Sequence, residues 1–67
     1  MEDFVYKNTF PNYYTTDDVV NFAVVGKTVK LVGVKVSNFD EAVSILKDKG
    51  FKVWTFYDFG SAWLRVD

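Results

Sequence analysis

Adjacent carboxylates are the groups in this sequence whose type and spacing come closest to catalytic chemistry. Two such pairs occur, Asp17-Asp18 and Asp40-Glu41, and paired acids are able to act as general acid and general base. Both pairs stand where the sequence predicts the start of a helix, and acidic side chains there stabilise the positive end of the helix dipole. We therefore predict that both pairs stabilise helix starts and take no part in catalysis.

Other reactive groups are scarce in this chain. It contains no His and no Cys, so zinc finger sites, Cys–His nucleophile pairs and most transition-metal sites are absent. Its four glycines are isolated and do not form a phosphate-binding loop. The triplet Asp58-Phe59-Gly60 also occurs in protein kinases, but a kinase needs a Gly-rich loop, a catalytic loop and a much longer chain. We predict no enzyme, no metal and no cofactor, and we interpret the triplet as a hairpin turn.

The composition is that of one small folded domain, residues 1–67. Apolar residues make up 49% of the chain and charged residues 25%, values typical of globular proteins. No run approaches the roughly 20 apolar residues that a membrane span needs. The acidic N-terminus does not resemble a signal peptide, because no basic region precedes an apolar stretch. We expect a cytoplasmic protein with no membrane partner.

Two helices are predicted from their end signals. Thr15 and Asp18 have capping-box spacing, and the helix that they begin is predicted to end at Gly26. A second helix has Asn38 as its N-cap and Gly50 at its C-terminal cap position. An apolar stripe at helical spacing lies along it and consists of Phe39, Ala42, Val43, Ile45 and Leu46.

Four segments have the pattern of strands: residues 4–10, 27–36, 51–57 and 61–66. The second changes its apolar phase near Gly33, which a bulge there or burial of both strand faces would explain. The element order is β-α-β-α-β-β. Because a hairpin pairs its neighbours and crossovers are right-handed, we expect the last strand to lie antiparallel between the second and third. The predicted class is α+β with two layers, a small mixed sheet and one helix layer, in the split β-α-β arrangement of half a ferredoxin-like sheet.

The hairpin between the last two strands has two possible registers. In one, Phe59-Gly60 is a two-residue loop and Phe56 lies opposite Trp63. Phe is a poor residue for the first position of such a loop. In the other, residues 58–60 form a three-residue loop with a left-handed glycine, and Trp54 and Phe56 change to the other sheet face.

Both registers place Trp63 and Arg65 on the outer face of the sheet. The opposite face of that strand, with Ala62, Leu64 and Val66, is the more apolar one. The outer face is predicted to be covered either by residues 1–14 or by another molecule, since an exposed aromatic patch usually marks a binding surface. The predicted interaction residues are Trp63, Arg65, Trp54, Phe56 and Tyr57.

Residues 29–67 resemble half of an ACT-type regulatory domain. The resemblance lies in a Val-rich strand, a helix that ends in Lys-Gly-Phe-Lys-Val, and a hairpin. It implies dimerisation and the binding of amino acids near the first strand–helix loop, here at Ser37, Asn38 and Asp40. The sequence lacks the Pro-Gly usual in that loop and the second β-α-β half.

These observations favour a small non-catalytic protein–protein interaction module. A regulator, an inhibitor or an accessory subunit, including one carried by a phage or mobile element, fits this size, and a homodimer fits the small core. The first alternative is an ACT-like dimeric domain that senses a small metabolite. The second is a binder of single-stranded nucleic acid, in which sheet aromatics stack on bases. Phosphate contacts would then come from Lys27, Lys30, Lys35, Lys52 and Arg65, although the sequence lacks the RNA-binding consensus and has a pI of about 5.2.

Overall fold

The computed structural model describes residues 2–67, which form two helices and one four-stranded sheet. In chain order the elements are β1 (Phe4–Lys7), α1 (Thr16–Phe22), β2 (Thr28–Val32), α2 (Val36–Asp48), β3 (Val53–Asp58) and β4 (Ser61–Val66). The strand order is β1-β2-β4-β3, with β1 parallel to β2 and β4 antiparallel to both of its neighbours. The predicted α+β class, the mixed sheet and the position of the last strand are confirmed.

One face of the sheet packs against both helices and forms the core. The buried side chains, each at most 3% exposed, are Val19, Val29, Leu31, Phe39, Ala42, Leu46, Ala62, Leu64 and Val66. Side chains alternate between the two faces of a strand, so burial of Leu64 turns Trp63 and Arg65 to the other face. The prediction that Ala62, Leu64 and Val66 form the core face of β4 is confirmed.

Helix α1 begins as predicted and ends early. The Thr15 side chain accepts a hydrogen bond from the Asp18 backbone N–H, and the Asp18 carboxylate accepts one from the Thr15 N–H, which completes the capping box. The helix ends at Phe22 and not at Gly26. The reason is competition from β4: the Gly26 N–H donates to the Val66 carbonyl at 2.8 Å, so this segment is bonded to the sheet.

Helix α2 begins two residues before the predicted N-cap. Lys35 is the N-cap residue and makes no side-chain capping bond, so the prediction of Asn38 as N-cap is wrong. The Asn38 side chain instead donates through Nδ2 to the Tyr14 carbonyl at 3.3 Å, and so ties the helix to the N-terminal segment. At the other end, Gly50 has a φ of 96° just beyond the C-cap, as the sequence predicts.

Gly33 ends strand β2 four residues earlier than the sequence predicts. Its φ is 85°, and a Cβ at this position would lie only 2.1 Å from the Asn8 carbonyl oxygen. The change in apolar phase therefore marks the end of the strand, where the segment after β1 passes against Gly33. It reflects neither a bulge nor a strand that is buried on both faces.

The β3–β4 hairpin has the two-residue register. Asp58 pairs with Ser61, and Phe56 lies opposite Trp63, so the three-residue alternative is wrong. Phe59 and Gly60 have φ values of 42° and 80°, the positive values that a type I′ turn requires. Core burial outweighs turn preference here, because a slip of one residue would exchange the two faces of β3.

Candidate interaction site on the outer sheet face

The outer face is the side of the sheet that points away from the helices. On strands β3 and β4, at one side of this face, three aromatic side chains form a cluster that we call the aromatic patch: Trp54, Phe56 and Trp63. The rings of Trp54 and Phe56 stack with centroids 6.3 Å apart and an interplanar angle of 10°. Phe56 also contacts Trp63 at 5.4 Å. The three rings meet because Trp54 and Phe56, two residues apart, share one face of β3 and because Phe56 lies opposite Trp63 on β4.

Basic side chains border the aromatic patch on two sides. Lys30 lies opposite Trp63 on β2, and its Nζ is 5.1 Å from the centre of the Trp63 ring, within cation–π range. Arg65 lies opposite Trp54, and its Nε is 3.3 Å from an Asp67 carboxylate oxygen. Sequence reasoning named Lys30 only as a phosphate contact. Its place beside Trp63 could have been found from its position between Val29 and Leu31, whose burial turns Lys30 outward.

The aromatic patch is half exposed. Trp54 is 53% exposed and Phe56 is 50% exposed, while Trp63, which contacts Phe56 and Lys30, is partly buried. A cluster of this kind is uncommon on a monomeric surface unless it takes part in binding.

The N-terminal segment does not cover the aromatic patch in the part of the chain that the structure describes, residues 2–67. Residues 4–7 form the edge strand β1, and Tyr6 stacks on Phe22 of α1 with ring centroids 4.0 Å apart. Tyr14 meets the same Phe22 ring edge-on at 5.1 Å. Tyr6 and Tyr14 thus pack on the helix side of the sheet. The alternative in which residues 1–14 cover the outer face is wrong for these residues.

Tyr57 lies on the helix side of the sheet, away from the other predicted interaction residues. Its ring meets Phe39 edge-on at 5.3 Å, and its hydroxyl donates to the Asp40 carboxylate. Burial, followed by the hydrogen bond to Asp40 and the charge of that carboxylate, raises the pKa of Tyr57 to about 12. The phenol therefore stays protonated near neutral pH and acts as a donor that links β3 to α2.

The residues implied by the ACT-type resemblance all lie on α2 and not in a loop. The Asn38 and Asp40 side chains are engaged with Tyr14 and Tyr57, and Ser37 is exposed. A groove of about 210 Å³ opens nearby, between the start of α2 and the hairpin turn. Its lining is mostly apolar and consists of Val34, Val36, Phe39, Tyr57, Asp58, Phe59, Gly60, Ser61 and Ala62, so none of the three implied residues lines it.

Phe59 is an unusual residue that the predicted interaction site leaves out. Its side chain is fully exposed, and its φ of 42° lies in the left-handed region that bulky residues rarely adopt. The sequence already marked Phe59 as unusual, since Phe fits poorly at the first position of a two-residue hairpin loop. An exposed aromatic on a strained backbone adds nothing evident to the fold.

We expect Phe59→Asn to stabilise the protein. Asn-Gly is the preferred type I′ pair, so the free energy of unfolding should rise by about 1 kcal/mol. The melting temperature, measured by circular dichroism, should rise by roughly 4–8 °C. Phe59→Ala is the matched control: it removes the ring and keeps the strain, so it should change the free energy of unfolding by less than about 0.5 kcal/mol. A loss of stability in both variants would show that the ring packs against the fold.

Comparison with known proteins assigns no relative to this fold and surface. No protein-family model, curated protein or solved structure matches the chain. Among residues 2–67 no helix has the length and apolar character to span a membrane, and no three His, Cys, Asp or Glu side chains are grouped to hold a metal ion.

Proposed function

We propose that the protein is a small non-catalytic interaction module that binds a partner protein through the aromatic patch. The observation that carries the proposal is the half exposure of Trp54 and Phe56 on the uncovered outer face of the sheet. Tryptophan at the centre of a contact surface is the residue most often found as a binding anchor. Within this proposal the module serves as a regulator, an inhibitor or an accessory subunit, including one carried by a phage or mobile element.

The arrangement of the aromatic patch supports a binding role. The stacking of Trp54 on Phe56 and the tilted contact of Phe56 with Trp63 restrict the rings before any partner arrives, so less side-chain entropy is lost on binding. Lys30 and Arg65 stand at its border, and a polar border around an apolar centre is the usual anatomy of protein interfaces. The sheet would act as a rigid platform because its other face is the core. We further propose that β2, α2 and β3, with β4 inserted between the strands, form the split β-α-β unit of half a ferredoxin-like sheet.

The test is affinity capture with the intact protein and two variants. Trp63→Ala removes the aromatic-patch ring that lies on β4, and we expect it to weaken partner binding by about 1–4 kcal/mol. Tyr13→Ala is the matched control, because Tyr13 is an aromatic residue, 39% exposed, that lies outside the patch. A partner captured by the intact protein and by Tyr13→Ala, but lost with Trp63→Ala, supports the proposal. Calorimetry on the purified pair then measures the loss.

Two results would contradict this function. Equal capture by all three forms would mean that the aromatic patch is not the binding surface. Binding of single-stranded oligonucleotides that is lost in Trp63→Ala, without any protein captured, would favour base stacking on the same rings. Thermal unfolding of each variant must first show that the fold is kept, because Trp63 also contacts Phe56 and Lys30.

A second candidate function is the sensing of a small metabolite in the groove beside α2. The observation that favours it is the mostly apolar lining of that groove, with Asp58 and Ser61 as polar groups at the hairpin. A thermal-shift screen of amino acids and nucleotides separates the two functions. A clear rise in melting temperature that Val36→Trp abolishes, by filling the groove from an exposed lining position, would favour sensing.

A further inference from the structure

Strand β3 lies at the edge of the sheet and has backbone groups free for pairing. Lys52 and Asp67 exchange both of their backbone hydrogen bonds, so bonding to β4 continues at every second residue of β3: Trp54, Phe56 and Asp58. The N–H and C=O groups of the residues between them, Val53, Thr55 and Tyr57, point away from the sheet. Within residues 2–67 no strand pairs with this side. An exposed edge of this length can form backbone hydrogen bonds with a strand of another chain.

The sequence of this edge is complementary to itself when it is reversed. Residues 52–58 read Lys-Val-Trp-Thr-Phe-Tyr-Asp, with Thr55 at the centre. We propose that β3 pairs antiparallel with β3 of a second copy of this chain, with Thr55 opposite Thr55 of the second copy. Aromatic then faces aromatic, since Trp54 lies opposite Phe56 of the second copy. Opposite charges also meet, since Lys52 lies opposite Asp58 of the second copy.

The backbone selects this register. Val53 lies opposite Tyr57 of the second copy, and Thr55 lies opposite its own equivalent, so every outward N–H and C=O of both strands finds a partner. A shift by two residues leaves one outward residue of each copy unpaired. A shift by one residue brings outward groups opposite groups already bonded to β4. The register with the most hydrogen bonds is therefore also the one that matches charges and rings.

The side chains reinforce the pairing on the outer face. Lys52, just before β3, and Asp58, the last residue of β3, are both exposed, so twofold symmetry forms their ion pair twice. Trp54 and Phe56 occupy positions without inter-copy hydrogen bonds, where side chains of paired strands approach most closely. The two sheets become one continuous sheet, and the two aromatic patches become one longer strip. The proposal depends on the β3 edge and not on the identity of any other partner.

Charge exchange across the proposed pair provides the experiment. Lys52→Glu alone, or Asp58→Lys alone, places like charges opposite each other twice, and each should weaken dimerisation about tenfold or more by sedimentation equilibrium. The double variant Lys52→Glu with Asp58→Lys restores both pairs and should recover the dimer. An equal mixture of the two single variants should form heterodimers in preference to either homodimer. Lys47→Glu and Asp48→Lys on α2 make the same charge changes away from the edge and should have no effect.

Hydrogen exchange gives a readout that needs no substitution. The amides of Val53, Thr55 and Tyr57 should become protected as protein concentration rises, while the amides already bonded to β4 should not change. A chain that stays monomeric at roughly 1 mM overturns the proposal, because such a pair would be weaker than any useful dimer. A dimer whose dissociation constant is unchanged by the substitutions at Lys52 and Asp58 would overturn the proposal as well. Trp63 lies outside the β3 edge, so Trp63→Ala should leave this dimer intact. Failure of dimerisation through β3 can therefore be told apart from failure of partner binding through the aromatic patch.

Discussion

Gly33→Ala is expected to lower the free energy of unfolding by about 2–5 kcal/mol, from backbone strain and steric overlap together. The φ of 85° alone disfavours a residue with a Cβ. Steric overlap is the stronger of the two effects, because the new Cβ would lie 2.1 Å from the Asn8 carbonyl oxygen. That atom is backbone, so no side-chain rotation relieves the overlap. The segment after β1 must move away from the end of β2, and the Asn8 N–H bond to the Val32 carbonyl, now 2.8 Å long, should be lost.

Gly50→Ala provides the matched control. Gly50 has a similar φ of 96°, but no atom lies within 4 Å of the Cβ that alanine would add. Gly50→Ala should therefore lower the free energy of unfolding only by the cost of a positive φ, about 1 kcal/mol. Urea denaturation followed by circular dichroism measures both variants. Equal losses in the two would mean that the contact between Gly33 and Asn8 does not constrain the fold.

Phe39→Ala should cost about 3–5 kcal/mol, because it removes a fully buried ring and leaves a cavity between α2 and the sheet. A 67-residue domain has a total stability of roughly 3–10 kcal/mol at 0.05–0.15 kcal/mol per residue. The variant should therefore be largely or partly unfolded at 25 °C. The same change removes the edge-on partner of Tyr57, so β3 should also be held less firmly against α2.

Val36→Ala is the control on the same helix. Val36 is the first residue of α2 and is 60% exposed, so its substitution should alter the free energy of unfolding by about 0.5 kcal/mol or less. Near-ultraviolet circular dichroism and the urea midpoint separate loss of packing from loss of helix. If Phe39→Ala unfolded with the same midpoint as Val36→Ala, the packing of α2 on the sheet would need revision.

The outer position of Trp63 could be predicted from sequence because the signal is local. The two faces of β4 follow from the alternation of its side chains and do not depend on the hairpin register. Ala62, Leu64 and Val66 lie on one face, and Trp63 and Arg65 lie on the other. The order of elements was predictable for a similar reason, since capping residues and apolar stripes mark helices within a few residues. The capping box at Thr15 and the glycine after α2 are examples, and the structure contains both.

The errors arose where distant segments compete for the same backbone groups. The bond from Gly26 to Val66 ends α1 early, and the approach of Asn8 ends β2 at Gly33. The hairpin register depended on whether Phe59 would accept a positive φ, which turn preference alone argues against. The same uncertainty in register put one residue too many in the predicted site, because Tyr57 lies on the helix side in the two-residue register that the structure shows.

The place of β4 has a consequence for the order in which this protein folds. It is the last of the six elements and stands in the middle of the sheet, with β2 on one side and β3 on the other. Strands β2 and β3 pair only through β4, so until residues 61–66 dock, no backbone pairing joins the two sides of the sheet. A nascent chain emerging from the ribosome therefore has both helices and three strands before the strand that joins β2 to β3 exists. Folding should wait for the emergence of residues 61–66 and then proceed in one cooperative step, with most of its pairings made between distant parts of the chain.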